Sequence, residues 1–222
     1  MGRLPISEEK KRYKMIQIIQ ATEGLIKTKG LKATTLRTIS NAVHCNSASL
    51  YKYFTDLDEL LLYACINNFK AYIDELAAKK LLNLADNDKA TYMLTWKLFC
   101  VHCFANPEVA YHIFFSKHSP DLQQKVATYF GLFPQELAST PVHLLTMVTT
   151  ADLKYRNWIL LKPLLKDKAN NRQMVMINDL TIAFFQMILS EKIMKGNDIN
   201  NNFQTMRMLQ TCQYLLTTAK PK

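Results

Sequence analysis

Asn46, Ser47, Ala48 and Ser49 form a run of four small residues, followed after Leu50 by Tyr51, Lys52 and Tyr53, a hydroxyl, an ammonium and a second hydroxyl. That order suits non-covalent recognition of a polyanion. Small polar side chains let a backbone approach a duplex closely, while the three longer groups can hold phosphate oxygens and make an occasional contact to a base edge or thymine methyl. Leu50 and Phe54, spaced i, i+4, share the opposite face and give the segment a side to bury. For bond-making chemistry the chain offers little: no G-x-S-x-G, phosphate loop, Rossmann glycine pattern or H-E-x-x-H, and five glycines are too few for a phosphate cradle. An enzyme is not expected, and no cofactor is implied. Cys100, His102 and Cys103 invite a metal reading, but His102 points off the face that the two cysteines share, and no second pair completes a tetrahedral set. Free buried thiols are the expectation, with no metal.

The elements that position these groups follow from caps and periodicity. A first helix is expected from about Lys10 to Thr28, with an apolar stripe of Ile16, Ile19, Leu25 and Ile26, closed by Gly30. Thr34 or Thr35 can cap a second helix, Leu36 to Val43, facing inward through Leu36, Ile39 and Val43. After the turn His44-Cys45, Asn46 can cap a third, Ser47 to Phe54. Two short helices with a tight turn make a helix-turn-helix, whose second helix lies in the major groove. Thr55-Asp56-Leu57-Asp58 has capping-box form and opens a long fourth helix to about Leu82. A fifth runs from Asp86 or Asn87 to Ala105. Others are expected near Glu108–Lys117, Pro120–Phe130, Pro141–Leu165, Asn170–Lys195 and Asp198–Thr218, divided by Pro120, Gly131 to Pro134, Pro163 and Gly196. The expected fold class is all-α: an N-terminal three-helix helix-turn-helix domain over residues 1–56, expected to bind DNA, then a helical bundle over 57–222, for which ligand binding and dimerisation are the expectation.

Charge is distributed to match. Ten basic residues stand against three acids up to Phe54, an excess of seven within a net charge of +10. Concentrated positive charge beside a recognition motif attracts phosphates, and Lys10, Lys11, Arg12 and Lys14 form a basic arm ahead of the motif. The amino terminus lacks an apolar signal region and the longest apolar run, Leu180 to Leu189, is short of a membrane span, so no membrane association is expected. Five scattered cysteines (Cys45, Cys65, Cys100, Cys103, Cys212) fit a reducing compartment, and the cytoplasm is the expected location.

The stretch from Thr34 to Leu62 resembles the DNA-binding signature of TetR-family transcription regulators. Matches fall at Thr35, Arg37, Ile39, Leu50, Tyr51, Tyr53, Phe54, Leu60 and Leu61, with Ser40, Ala48 and Ser49 as near substitutions. The resemblance implies that Thr35 and Arg37 contact DNA from the second helix, that Ser47, Ala48 and Ser49 face bases, and that Tyr51, Lys52 and Tyr53 hold the backbone. Asn46 opens the same helix. Three positions depart from the pattern: His44 occupies the turn position of a glycine, Val43 replaces a small residue, and Leu57 stands where the family has a phosphate-binding lysine.

One helix-turn-helix makes too few contacts for specific binding, so a homodimer is expected, with recognition helices about 34–36 Å apart. The last two helices are the candidates for that interface, through Met174–Ile193 and the stripe Ile199, Phe203, Met206, Leu209, Leu216. Aromatic residues between Tyr92 and Phe115 suggest an effector pocket for an unknown small molecule, hydrophobic or aromatic, with Trp96, Phe104, His112 and Trp158 as candidate contacts. The expected partner is double-stranded palindromic operator DNA, and the expected role is a repressor released by effector. A ligand- or partner-dependent activator of the same family, or a non-specific, architectural DNA-binding protein, are the alternatives.

Overall fold

Side-chain caps set the register of the first helices. In the computed structural model, which describes residues 7–79, 88–138, 140, 145, 150, 152–166 and 169–219, Ser7 caps α1 (Glu8–Lys29) by accepting from the Lys10 N–H. The helix ends at Gly30, whose φ of 81° lies where a residue with a Cβ is strained. Thr35 caps α2 (Leu36–Ala42) in a reciprocal box with Thr38, so Thr35 rather than Thr34 takes this role. Asn46 caps α3 (Ser47–Leu50), accepting from the Ser49 N–H at 2.8 Å. The α-helix stops at Leu50, short of the expected Phe54. Residues 51–53 continue as turns, in which the Tyr53 and Phe54 N–H groups both donate to the Leu50 carbonyl.

The cap of α4 (Leu57–Ile66) is one residue later than the sequence suggested. Asp56 accepts from the Glu59 N–H, and Thr55 instead donates its own N–H and hydroxyl to the Glu59 carboxylate. The single long helix expected to Leu82 is divided by a 3-10 turn at Asn67–Phe69 before α5 (Lys70–Ala78). Residues 80–87 lie outside the described set, including the proposed caps Asp86 and Asn87; within it, Asp88 caps α6 (Lys89–Ala105).

Asn106-Pro107 breaks the chain and starts α7 (Pro107–Phe115), as the fixed φ of proline favours, and a 3-10 turn at Ser119–Asp121 leads into α8 (Leu122–Leu132). The first part of the helix expected over Pro141–Leu165 falls largely outside the described residues. Its latter part is α9 (Leu153–Leu165), capped by Asp152. Pro163 sits in the last turn of α9 and does not divide two helices. Asn170 and Gln173 form the capping box of α10 (Asn171–Lys195); Gly196, with φ 62°, ends it, and Asn200 caps α11 (Asn201–Thr217), three residues after the expected start.

Every regular element among the described residues is helical. Helix α4 packs on α1 on one side and on α7 and α8 on the other, so it is shared by the head and the bundle. The bundle closes as α10 packs on α7, α9 and α11, and α11 on α6. By length and composition α10 could cross a membrane, which the ten-residue apolar run did not suggest. Its inward face instead carries Ile177, Phe185, Ile188 and Leu189, together with the polar Asn178, Thr181 and Lys192, all buried within this bundle.

Candidate nucleic-acid interface

Ile18, Ile19, Ile39, Leu50 and Phe54 bury the centre of the three-helix head, each side chain contributing about 1.5–3 kcal/mol by leaving water. On α1 the buried row is Ile18, Ile19, Thr22 and Ile26, while Ile16 and Leu25 are only half-buried. The Ser40 and Ser47 hydroxyls lie 3.2 Å apart and tie α2 to α3. With so few residues fixing the angle between the helices, the turn conformation matters.

That turn is built on His44 at φ 52°, the only non-glycine residue with positive φ among those described. The sequence pattern pointed to this position as a glycine site, and the backbone there is left-handed as that implied. An L side chain in this region costs roughly 1–2 kcal/mol, partly offset because glycine is freer in the unfolded chain. His44→Gly is therefore expected to raise stability by about 0.5–1 kcal/mol, measured by urea denaturation. A fall in stability would show that the His44 ring, exposed here, makes contacts that outweigh the backbone strain.

The outward face of the head divides into groups already engaged within the protein and groups directed to solvent. Thr35, Asn46, Ser47 and Ser49 carry structural hydrogen bonds: Thr35 with Thr38, Asn46 Oδ1 with the Ser49 N–H and hydroxyl, and Ser47 with Ser40. Arg37, Ala48, Tyr51 and Lys52 are exposed, Tyr51 at 53%, and Tyr53 is half-buried. Among the described residues none of Arg37, Tyr51, Lys52 and Tyr53 has a side-chain hydrogen bond or ion pair. One cation of the basic arm is committed elsewhere: Arg12 donates to the carbonyls of Gly131 and Leu132 at the end of α8. Lys10 and Lys11 are exposed and, among the described residues, form no ion pair.

The junction between head and bundle is a cluster of charged groups that periodicity could not reveal. Glu59, buried at the first turn of α4, receives both Thr55 donors and pairs with Lys125 of α8. Burial pushes the Glu59 carboxyl up, but Lys125 and Thr55 outweigh it and hold it below its ordinary value. Asp56 is 3.0 Å from His118 and 3.3 Å from Lys117, which also meets Asp58 at 2.8 Å. Burial raises the Asp56 carboxyl, but the Glu59 N–H, His118 and Lys117 lower it further, to about 2. These contacts grip the amino end of α4 from α8 and from the turn that follows α7.

His112 of α7 belongs to this junction, its Nε2 2.9 Å from the Asp58 carbonyl oxygen. Burial depresses its pKa below the ordinary 6.5, outweighing the favourable Asp58 contacts. Because the unfolded chain takes up the proton first, the stability tied to neutral His112 is complete above about pH 6.5 and is lost as pH falls below it. The thermal midpoint should fall between pH 7 and 5, and His112→Asn should flatten that slope. An unchanged slope in the variant would assign the acid loss to other groups.

The remaining effector candidates are spread through the bundle. Trp96 is buried and donates from Nε1 to Asn157 at 2.9 Å, with its ring against Phe99 and Phe185. Phe104, also buried, stacks near Phe185 and lines an open groove of about 760 Å³ beside α10 and α11. Trp158 is half-buried, and His112 lies at the junction. A separate cavity between α4, α5, α7 and α8 is lined by Ile66, Phe69, Ile73, Phe114, Val126 and Arg156 among others. Sequence reasoning passed over Arg156, whose only signal was a charge next to an apolar run. Among the described residues no three of His, Cys, Asp and Glu come together to hold a metal, and His102 contacts Glu75 rather than the buried Cys100 and Cys103.

A helix-turn-helix head with exposed basic groups on its outer face is joined to an all-helical bundle. Residues 18–64 match the family model described as bacterial regulatory proteins, tetR family, a stretch that includes the signature from Thr34 to Leu62. Solved structures extend the likeness over the whole chain. A TetR transcriptional regulator from Rhodococcus sp. RHA1 aligns with a TM-score of 0.51 at 10% identity, covering 95% of this chain and 98% of its own. RolR in complex with the ligand resorcinol aligns with a TM-score of 0.52 at 12% identity, covering 97% and 99%. At such identities the likeness is one of fold. No curated protein sequence matches the chain.

Proposed function

We propose that the protein is a cytoplasmic repressor that binds palindromic operator DNA as a homodimer and is released by a small-molecule effector. The observation that carries the reading is the exposed set Arg37, Tyr51 and Lys52, unpaired among the described residues and set around a capped recognition helix. Exposed cations and hydroxyls of this kind supply phosphate contacts, and in this reading Ser47, Ala48 and Ser49 at the start of α3 meet base edges. Thr35, Asn46 and Tyr53 complete the proposed interface.

Dimerisation is assigned to α10 and α11. Met176, Leu180, Met187 and Met194 are exposed along one side of α10, and Phe203, Met206 and Tyr214 along α11. An apolar face of this extent on a soluble bundle favours burial against a second copy, and two helices from each subunit make a four-helix interface. Effector control follows from α4. Its amino end is fixed by Lys125, Lys117 and His118, so an effector that favours a different setting of α7 and α8 would move α3 with them. The effector must bind one setting better than the other for any shift to occur.

Selection of random duplex DNA by the full chain at moderate salt tests the reading. The expected product is a palindrome with half-sites about one helical turn apart. Binding without sequence preference and with a steep salt dependence would replace it with the architectural reading.

A further inference from the structure

Arg156 is buried in the middle of the bundle, 5% exposed, and its guanidinium makes no hydrogen bond or ion pair with any described residue. The guanidinium lies over the face of Phe69, 5.0 Å from the ring centroid. The next residue on α9 shows how differently this fold treats a buried polar group that serves structure alone. Asn157 accepts from Tyr92 Oη and Trp96 Nε1 and donates to Asn178, which in turn donates to the Lys154 carbonyl. A guanidinium keeps its charge, and holding an unpaired charge away from water is among the most unfavourable arrangements a core can contain. Such a group is retained where something else neutralises it.

The cavity that Arg156 lines has a free volume of about 50 Å³, on the order of four water positions at roughly 10–15 Å³ each, with walls that are mainly apolar, including Ile66, Ile73, Phe114 and Val126. Two other charged groups line it. Lys70 is paired with Asp74 at 3.2 Å, and Glu136 makes no ion pair with Arg156. From this geometry we infer that the effector is a small organic monocarboxylate, its carboxylate on Arg156 and its apolar body against Phe69, Phe114 and Val126. A planar carboxylate matches the guanidinium fork through two parallel hydrogen bonds. A phosphate dianion would bring a second charge that the single guanidinium leaves uncompensated.

The inference rests on the proposal that the bundle takes an effector, but its test does not use DNA. Thermal midpoints of the full chain are measured at pH 7 and constant ionic strength with millimolar acetate, propionate, methyl phosphate or neutral propionamide, all small enough for a cavity of this size. Acetate or propionate is expected to raise the midpoint by about 2–4 °C or more, and propionamide to leave it unchanged. Arg156→Met should raise the ligand-free midpoint by a similar amount, because it removes an unpaired buried charge, and should abolish the carboxylate shift. Arg156→Lys, which keeps the charge without the fork, should fold and show a reduced shift. No shift with either carboxylate, an equal shift with propionamide, a larger shift with methyl phosphate, or a lower ligand-free midpoint in Arg156→Met would each overturn the assignment. A carboxylate shift in a protein that selects no operator would leave this site standing and remove the repressor reading; an operator without a carboxylate shift would do the reverse.

Discussion

Leu180→Glu combined with Met187→Glu is expected to convert the protein to a monomer and to lower its affinity for its selected operator by at least ~10³-fold, since one half-site alone retains only part of the specific binding energy. Both residues are nearly half exposed on the outer side of α10, at 47% and 44%, so the substitutions leave the core of the bundle intact. Their cost falls on the interface, where two carboxylates per subunit would be desolvated without partners. Arg207 borders the same surface, paired with Glu191 at 2.6 Å and lying over the rings of Phe184 and Phe203, which fixes the edge of the apolar face. Sedimentation velocity and DNA-binding anisotropy on the same samples read both effects. A variant that stays dimeric would move the interface off α10. One that becomes monomeric with unchanged operator affinity would contradict the requirement for two reading heads.

Glu59→Ala should cost about 3–5 kcal/mol of folding stability, far more than an ordinary helix-capping change, because the loss is not confined to the cap. The Thr55 N–H and hydroxyl lose their acceptor, and Lys125, 17% exposed, keeps its charge with no carboxylate beside it. The double variant Glu59→Ala, Lys125→Met removes both partners and should recover most of the loss, since an apolar pair of similar volume avoids the desolvation penalty. Chemical denaturation of the two single variants and the double one closes the cycle. Additive losses would show that Glu59 and Lys125 act separately and that α8 does not hold the amino end of α4.

The parts of the structure that the sequence made legible are those decided within a few residues. Thr35 and Asn46 cap their helices because a side-chain oxygen needs only the N–H three positions on. Leu50 and Phe54 bury together because they are one turn apart, and His44 takes the left-handed conformation because the turn geometry demands it. The junction was not legible for the opposite reason. Asp56 meets His118 and Glu59 meets Lys125 across more than sixty residues, and no local period records such a pairing. Arg12 illustrates the same limit: it reads as part of a basic arm, yet it donates to carbonyls at the end of α8. The division of the long fourth helix escaped because Asn67 and Asn68 keep a right-handed backbone through the 3-10 turn, with no proline or glycine to mark it. Arg156 was invisible because burial, not residue type, makes it unusual.

Operator binding by the head is tested most directly by Tyr51→Ala combined with Lys52→Ala. Both side chains are exposed and free of hydrogen bonds and ion pairs among the described residues, so the double variant should match the wild type in helical content and thermal midpoint. Its anisotropy titration against the selected palindrome should weaken by ~10²-fold or more, with a shallower salt dependence because a phosphate contact is lost from each subunit. Unchanged affinity and salt slope in a folded variant would show that this face of the head does not hold the operator.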